Sequence, residues 1–269
     1  MKDKFIERQR RLLRQGRLSR RDFVASVLSA GVVLPSALTM ADRVQAATPK
    51  RGGDLKIGMG HGSTTDSLDP ATYENGFMTH TGYLWGNALT EVAPDGTLRG
   101  DLVEGWEATP DARVWRFPIK KGVTFHNGKT LTVEDVIASL NHHRGEDTKS
   151  AAKGLLTGID EMRADGDTLV VTLASGNADF PFVLSDYHLL IMPSDEGRVD
   201  PTAAIGTGPY PIDSFEPGVR VTATRNENYH REDAAWFDTV ELLAIVDATA
   251  RQNALMNGSV HLIDRVDPK

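Results

Sequence analysis

The chain of 269 residues contains no cysteine. That absence removes thiolate zinc sites, iron–sulfur clusters, cysteine nucleophiles, disulfide staples and a lipid-modified cysteine anchor. Aromatic residues make up only 7% of the chain, and there is no internal repeat or low-complexity tract. Also missing are the G-x-S-x-G elbow, the H-E-x-x-H helix and the G-x-x-x-x-G-K-[ST] phosphate loop, which are common enzyme signatures. Acidic residues outnumber basic ones, 37 to 30, which argues against a general nucleic-acid binder. What is present, 40% hydrophobic and 25% charged residues, suffices for a sizeable core in one or two domains.

The charge falls into two populations. Residues 1–21 hold nine basic side chains against Asp3 and Glu7, a net of plus 7. No charged residue follows from Phe23 to Ala41, and Val44-Gln45-Ala46 then places small residues where a signal peptidase reads before its cut. A basic arm directly ahead of an uncharged segment reads as an export signal rather than a nucleic-acid arm. Ser19-Arg20-Arg21-Asp22-Phe23-Val24 resembles the twin-arginine export motif, S-R-R-x-F with an apolar residue after it. Pro35 and several small residues disfavour the rival reading of the uncharged stretch as a retained membrane anchor. The expected boundaries are a signal at 1–46 and an exported part at 47–269, the latter with 20 basic and 33 acidic residues, a net of minus 13. The motif implies cargo that folds in the cytoplasm and works in the periplasm.

Leu55-Lys56-Ile57 begins a strand that runs into a glycine-rich loop, Gly58 to Thr65. The loop lacks the third glycine of a dinucleotide turn, and Ser67-Leu68-Asp69-Pro70 stands where the helix would start, so a flexible loop is expected there and no cofactor. Apolar spacing predicts a helix over 77–89, a turn at Pro94-Asp95-Gly96, and strands over 103–108 and 114–119 with Trp115, Phe117 and Ile119 on one face. Thr132 and Asp135 have the spacing of a capping box ahead of a helix that ends near His143. Further on come a strand over 169–173, a short helix opened by Pro181, a hairpin of 210–215 with 219–225, a strand over 240–246, and a helix over 249–256 stopped by Asn257-Gly258. Mixed hairpins and helices without regular alternation give an α/β or α+β class. His142-His143 with Glu146 and Asp147 is the densest set of metal-ligand types, but adjacent helical residues point about 100° apart, so a solvated helix end is expected rather than a metal site. Asp165 and Asp167 sit in a predicted turn, which suits turn chemistry better than acid–base catalysis.

Three separated blocks carry a resemblance. The first is Gly52-Gly53-Asp54-Leu55-Lys56-Ile57 with Leu68-Asp69-Pro70. The second runs from Leu102-Val103-Glu104-Gly105-Trp106 through Trp115 to Gly122-Val123-Thr124-Phe125-His126-Asn127-Gly128-Lys129 and the capped helix start at Thr132. The third is Gly206-Thr207-Gly208-Pro209-Tyr210, followed by Arg225-Asn226-Glu227-Asn228-Tyr229 and Ala254 to Gly258. Together they resemble family 5 of the extracytoplasmic solute-binding proteins of ABC transporters, whose members carry peptides, nickel chelates and related solutes.

The resemblance implies an α/β, periplasmic binding protein type II-like fold, in which two lobes hinge around a cleft and close on solute before delivery. It implies a binder rather than an enzyme, with no cofactor. The implied partners are a peptide-like small-molecule solute, ABC transporter permease subunits and the twin-arginine export machinery. In resembling proteins the segment after L-D-P reaches the cleft, which points here to Tyr73, Glu74, Asn75 and Gly76, with Glu74 suited to an amine. Asp186 and Tyr187, near the return toward the hinge, form a second ligand-binding candidate. Trp85 at helical spacing is expected in the core, and His126 in a hydrogen-bonding turn. Family members are much longer, so the first lobe with the start of the hinge is expected here, without closure on solute at the usual affinity. A nickel-chelate or other non-peptide solute binder, a periplasmic hydrolase, and a sensor or scaffold on the same lobe stand as alternatives.

Overall fold

The computed structural model describes residues 2–14, 17–38, 40 and 50–266. The expected cut after Ala46 lies outside the described residues. Two compact units are present, Met1–Gly52 and Gly53–Lys269. In the first, helices Lys2–Arg14 and Arg20–Ser29 bury Ile6, Leu13, Phe23 and Val27 together with Ala37. Ser19 caps the second helix: its hydroxyl oxygen accepts from the Asp22 amide at 3.1 Å, so the S-R-R-D segment forms the helix start. The Lys2–Arg14 helix was not expected from the sequence, because six cationic side chains among its thirteen residues obscure a narrow apolar stripe. Among the described residues no helix is long and apolar enough to cross a membrane.

The second unit holds two principal sheets. In one, β1 (Asp54–Met59) lies parallel to both β12 (Thr239–Ala244) and β13 (Leu262–Ile263). The antiparallel hairpin β10 (Ile212–Glu216) and β11 (Arg220–Thr224) extends it to the order β10-β11-β12-β1-β13. In the other, β4 (Glu107–Ala108), β5 (Val114–Pro118), β7 (Thr168–Leu173) and β6 (Ile159–Asp165) run antiparallel in the order β4-β5-β7-β6. Two short ladders pair β2 (Thr90–Val92) with β3 (Leu98–Gly100), and β8 (Ser194–Asp195) with β9 (Arg198–Val199).

Each sheet has its own core. Trp115 and Phe117 project from β5 to one side and meet Phe180, with ring centroids 6.1–6.4 Å apart. Leu169, Val170, Val171 and Leu173 make β7 a strand buried on both faces. The Val133–His142 helix closes this core through Val133, Val136 and Leu140, and its capping box forms as the sequence predicts. The second core gathers Met59, Phe77, Met78, Trp85, Val221 and Leu242 between the five-stranded sheet and the Gly76–Trp85 helix. Burying each such aromatic or aliphatic side chain contributes about 1.5–3 kcal/mol.

Several expectations need correction. The helix expected over 77–89 ends at Trp85, because Gly86 turns extended and lets Leu190 pack against its backbone. The strand expected over 103–108 reduces to an isolated Val103–Ile119 bridge and a two-residue strand, since the chain bends between them. The loop expected to be flexible is tied down instead: the Gly60 amide donates to Asp264 Oδ1 at 2.6 Å and the Ser63 amide to Asp66 Oδ2 at 2.8 Å. The helix end at His142-His143 is not solvated either. His143 is fully buried with Nδ1 2.6 Å from Ser150 Oγ, and His142 Nε2 lies 2.8 Å from Asp69 Oδ1. Among the described residues no group of His, Asp and Glu is arranged to hold a metal ion.

Candidate functional site

Asp69-Pro70 opens a single turn of 3-10 helix, Pro70–Thr72, with the Asp69 carboxylate accepting from the Ala71 amide at 2.9 Å. The turn delivers Tyr73 to Gly76 to the start of the Gly76–Trp85 helix. Asn75 is the cap of that helix: its Oδ1 accepts from the Met78 amide at 3.1 Å, and its Nδ2 donates to Asp66 Oδ1 at 2.8 Å. The Gly76 amide donates to His61 Nδ1 at 3.3 Å. The segment is thus tied to Asp66, to His61 and to the first turn of its own helix, and the Glu74 side chain is left exposed.

Tyr73 turns inward and is completely buried. Its hydroxyl donates to the Leu68 carbonyl at 3.0 Å and accepts from the Trp85 indole N–H at 3.2 Å. Burial pushes its phenol well above the usual range. Tyr73 and Trp85 are therefore parts of the core, and what Tyr73 offers a site is its backbone carbonyl.

Asp186 and Tyr187 follow the short Phe180–Val183 helix and are half-buried. Asp186 accepts from the His188 backbone amide at 3.0 Å, and its Oδ1 lies 2.6 Å from His188 Nδ1. Burial works to raise its carboxyl, yet the His188 bonds outweigh that and hold it below the ordinary carboxylate value. The other His188 nitrogen, Nε2, bonds the Tyr73 carbonyl at 2.8 Å. His188 thereby brings the two candidate segments together. Burial, and then the nearby charges of Asp186 and Glu74, raise the Tyr187 phenol.

The combined surface is therefore acidic and aromatic, with Glu74 and Asp186 close to Tyr187. Tyr83, about half exposed at 52%, joins it: burial first, then Asp186, Tyr187 and Glu91, raise its phenol. Beside Ser185 and Tyr83 opens a cavity of about 450 Å³, whose polar lining includes Asn87, Glu91, Tyr229 and Arg231. Asn87 donates to Asp101 Oδ2 at 2.8 Å and to the Tyr229 hydroxyl at 3.1 Å. The sequence does not single out His188, and it shows Tyr83 only as one of the apolar positions at helical spacing over 77–89. His188 lies next to a named pair, and only its contact across 115 residues to Tyr73 reveals its place.

The signature turn acts as a joint between blocks of the resemblance. The His126 amide donates to the Gly206 carbonyl at 2.9 Å, and His126 Nε2 lies 2.9 Å from the Gly208 carbonyl. Burial lowers the His126 imidazole, against the raising effect of that carbonyl. Its role is structural hydrogen bonding, as expected.

The fold has relatives among known proteins. The chain is 25% identical to the oligopeptide-binding protein AppA of Bacillus subtilis (strain 168), over 81% of this chain and 42% of that protein. A solved nickel ABC transporter structure from Bacillus halodurans is similar at 30% identity and a TM-score of 0.66, covering 77% of this chain and 42% of the other. The periplasmic binding protein AgaA of A. tumefaciens R10, solved with agropinic acid, shares the fold at a TM-score of 0.70 and 24% identity, over 77% and 43% of the two chains. The chain thus spans under half the length of each of these, and its fold is that of the type II periplasmic binding proteins. The family model for the middle region of the bacterial extracellular solute-binding proteins, family 5, matches residues 97–269, more than half of the sequence, and the chain belongs to that family.

Proposed function

We propose that residues 47–269 form the first lobe of the substrate-binding component of an ABC transporter for peptides or similar small solutes, delivered to the periplasm by a twin-arginine signal at residues 1–46. The observation that carries the reading is the joining of Tyr73–Gly76 to Asp186–Tyr187 through His188, which turns two distant segments into one surface. Glu74 and Asp186 suit a solute amine, and the Tyr187 and Tyr83 rings offer walls for variable apolar parts. Oligopeptide binding by the relative AppA favours a peptide. The solute is held rather than transformed, and the permease subunits of the transporter are the lobe's macromolecular partner.

One lobe covers one side of a solute. Without a second wall the desolvation that strengthens polar contacts is incomplete, so the chain alone binds more weakly than a closed pair of lobes. The test is titration of the isotope-labelled full chain with a pool of tri- to pentapeptides, followed by amide NMR. Expected are shifts at residues 73–76 and 186–187 at millimolar peptide, with every peptide recovered intact by mass spectrometry. No shift at these residues, or hydrolysed peptides, would sink the reading. The 30% identity to the nickel ABC transporter structure supports a second reading, a nickel-chelate binder. It predicts the same shifts with a Ni(II)–histidine complex and none with peptides.

A further inference from the structure

His188 is only 6% exposed, yet both of its ring nitrogens face hydrogen-bond acceptors. Nδ1 meets the Asp186 carboxylate at 2.6 Å and Nε2 the Tyr73 carbonyl at 2.8 Å. A carbonyl oxygen has no proton to give, and Asp186 is held in its ionised form. A neutral imidazole carries one N–H and one lone pair, so it satisfies one of these partners and sets its lone pair against the other. Only the imidazolium donates to both. The Tyr187 ring lies over it at a centroid distance of 4.0 Å and an angle of 32°, a position in which a π-face favours a cation.

We infer that His188 is a positioning residue, a buried imidazolium that clasps the Tyr73 carbonyl to Asp186 and so fixes the two halves of the candidate solute wall against each other. The clasp is read from geometry, and its bearing on solute capture rests on the function proposed above.

The titratable groups around His188 support its charge. On its own segment are Asp186 and Tyr187, and across the clasp is Glu74, next to Tyr73. Ahead of the 3-10 turn is Asp69, and at the end of the Val133–His142 helix are His142 and His143. Asp69 is paired with His142. His143 is pushed down to about 4, first by burial and then by His142, with the His188 charge adding to the same effect. It is therefore neutral near pH 7 and sets no second cation against His188. Burial opposes the His188 charge, but Asp186 and the Tyr73 carbonyl outweigh it and raise the imidazole above its ordinary value. The clasp is closed below that raised value. It loses one of its two bonds as pH rises through it.

The test needs no solute, so its outcome is separable from the fate of the solute-binding reading. Nitrogen NMR of the full chain follows the His188 ring with pH, while hydrogen exchange follows the amides of Glu74, Asn75 and Gly76. Expected are two protonated ring nitrogens at pH 6, a midpoint above 6.5 that falls in Asp186→Asn, and amide exchange that quickens about tenfold, beyond its intrinsic pH dependence, once the ring deprotonates. In His188→Gln the same amides exchange fast throughout, and the pH step is gone. A His188 midpoint at or below 6.5, or loop exchange that ignores the ring titration, overturns the inference.

Discussion

Asp135 sits third in its helix, and from there one carboxylate serves three segments. Its Oδ2 accepts from the Thr132 amide at 3.0 Å, and its Oδ1 from the Ser194 amide at 2.7 Å and hydroxyl at 2.9 Å, while Lys129 pairs with the same oxygen. The side chain is fully buried, so burial acts to raise its carboxyl, but the Lys129, Ser194 and Thr132 bonds outweigh this and lower it. Asp135→Asn keeps the shape and removes the charge, leaving Lys129 and the Ser194 donors facing a weaker acceptor. The expected loss is about 2–3 kcal/mol by urea unfolding, and an unchanged midpoint would refute the role. The sequence shows half of this residue. The Thr132 spacing identifies the cap, because capping is local, whereas the partnership with Ser194 spans 59 residues and leaves no local mark. His142 and His143 fail for the same reason: their partners Asp69 and Ser150 cannot be read from helix geometry, so the helix end reads as solvated.

At the scale of elements, legibility follows apolar pattern and turn chemistry. The strand β7, the β10–β11 hairpin and the capped helix carry apolar patterns or turn residues, and their expected and observed bounds differ by a few residues. The strand β6 was not expected, because only Ile159 of its seven residues is buried and its pairing with β7 owes little to side-chain pattern. The same contrast separates glycines. A Cβ on Gly206 would stand 2.3 Å from the Trp85 carbonyl oxygen and 2.8 Å from its ring, so backbone must move where the third resemblance block crosses the end of the Gly76–Trp85 helix. Gly122 needs only a positive φ of 77° and has open space around it. Gly122→Ala should therefore cost about 1–2 kcal/mol, the left-handed penalty alone. Gly206→Ala should cost more than that, because overpacking there forces backbone to shift. Thermal unfolding of the two variants orders them, and equal losses would mean that the Gly206 approach is slack.

The whole molecule's response to pH is set by histidines that pull in opposite directions. His143 is buried neutral, with a folded value of about 4 against an ordinary 6.5. The unfolded chain takes up its proton first as pH falls, so the contribution of His143 is complete above about 6.5 and is lost as pH drops toward 4, a change on the order of 3 kcal/mol. Asp69, Asp135 and Asp186 are lowered, so their contributions disappear further down, below the ordinary carboxylate value of 3.8. His188 is raised, and its sign is reversed: its contribution is complete below 6.5 and is lost as pH rises through its folded value. Stability should therefore peak near neutrality and fall on both sides, with the acid limb between pH 6.5 and 4 governed by His143 and added to by His126, whose imidazole burial also lowers, both outside the candidate wall. Urea unfolding of the full chain across pH 4–9 measures the profile. In His143→Gln, whatever its absolute stability, the slope between pH 6.5 and 4 should flatten while the alkaline limb stays, and in His188→Gln the reverse should hold. An acid limb as steep without His143 as with it would assign that sensitivity to His126 instead.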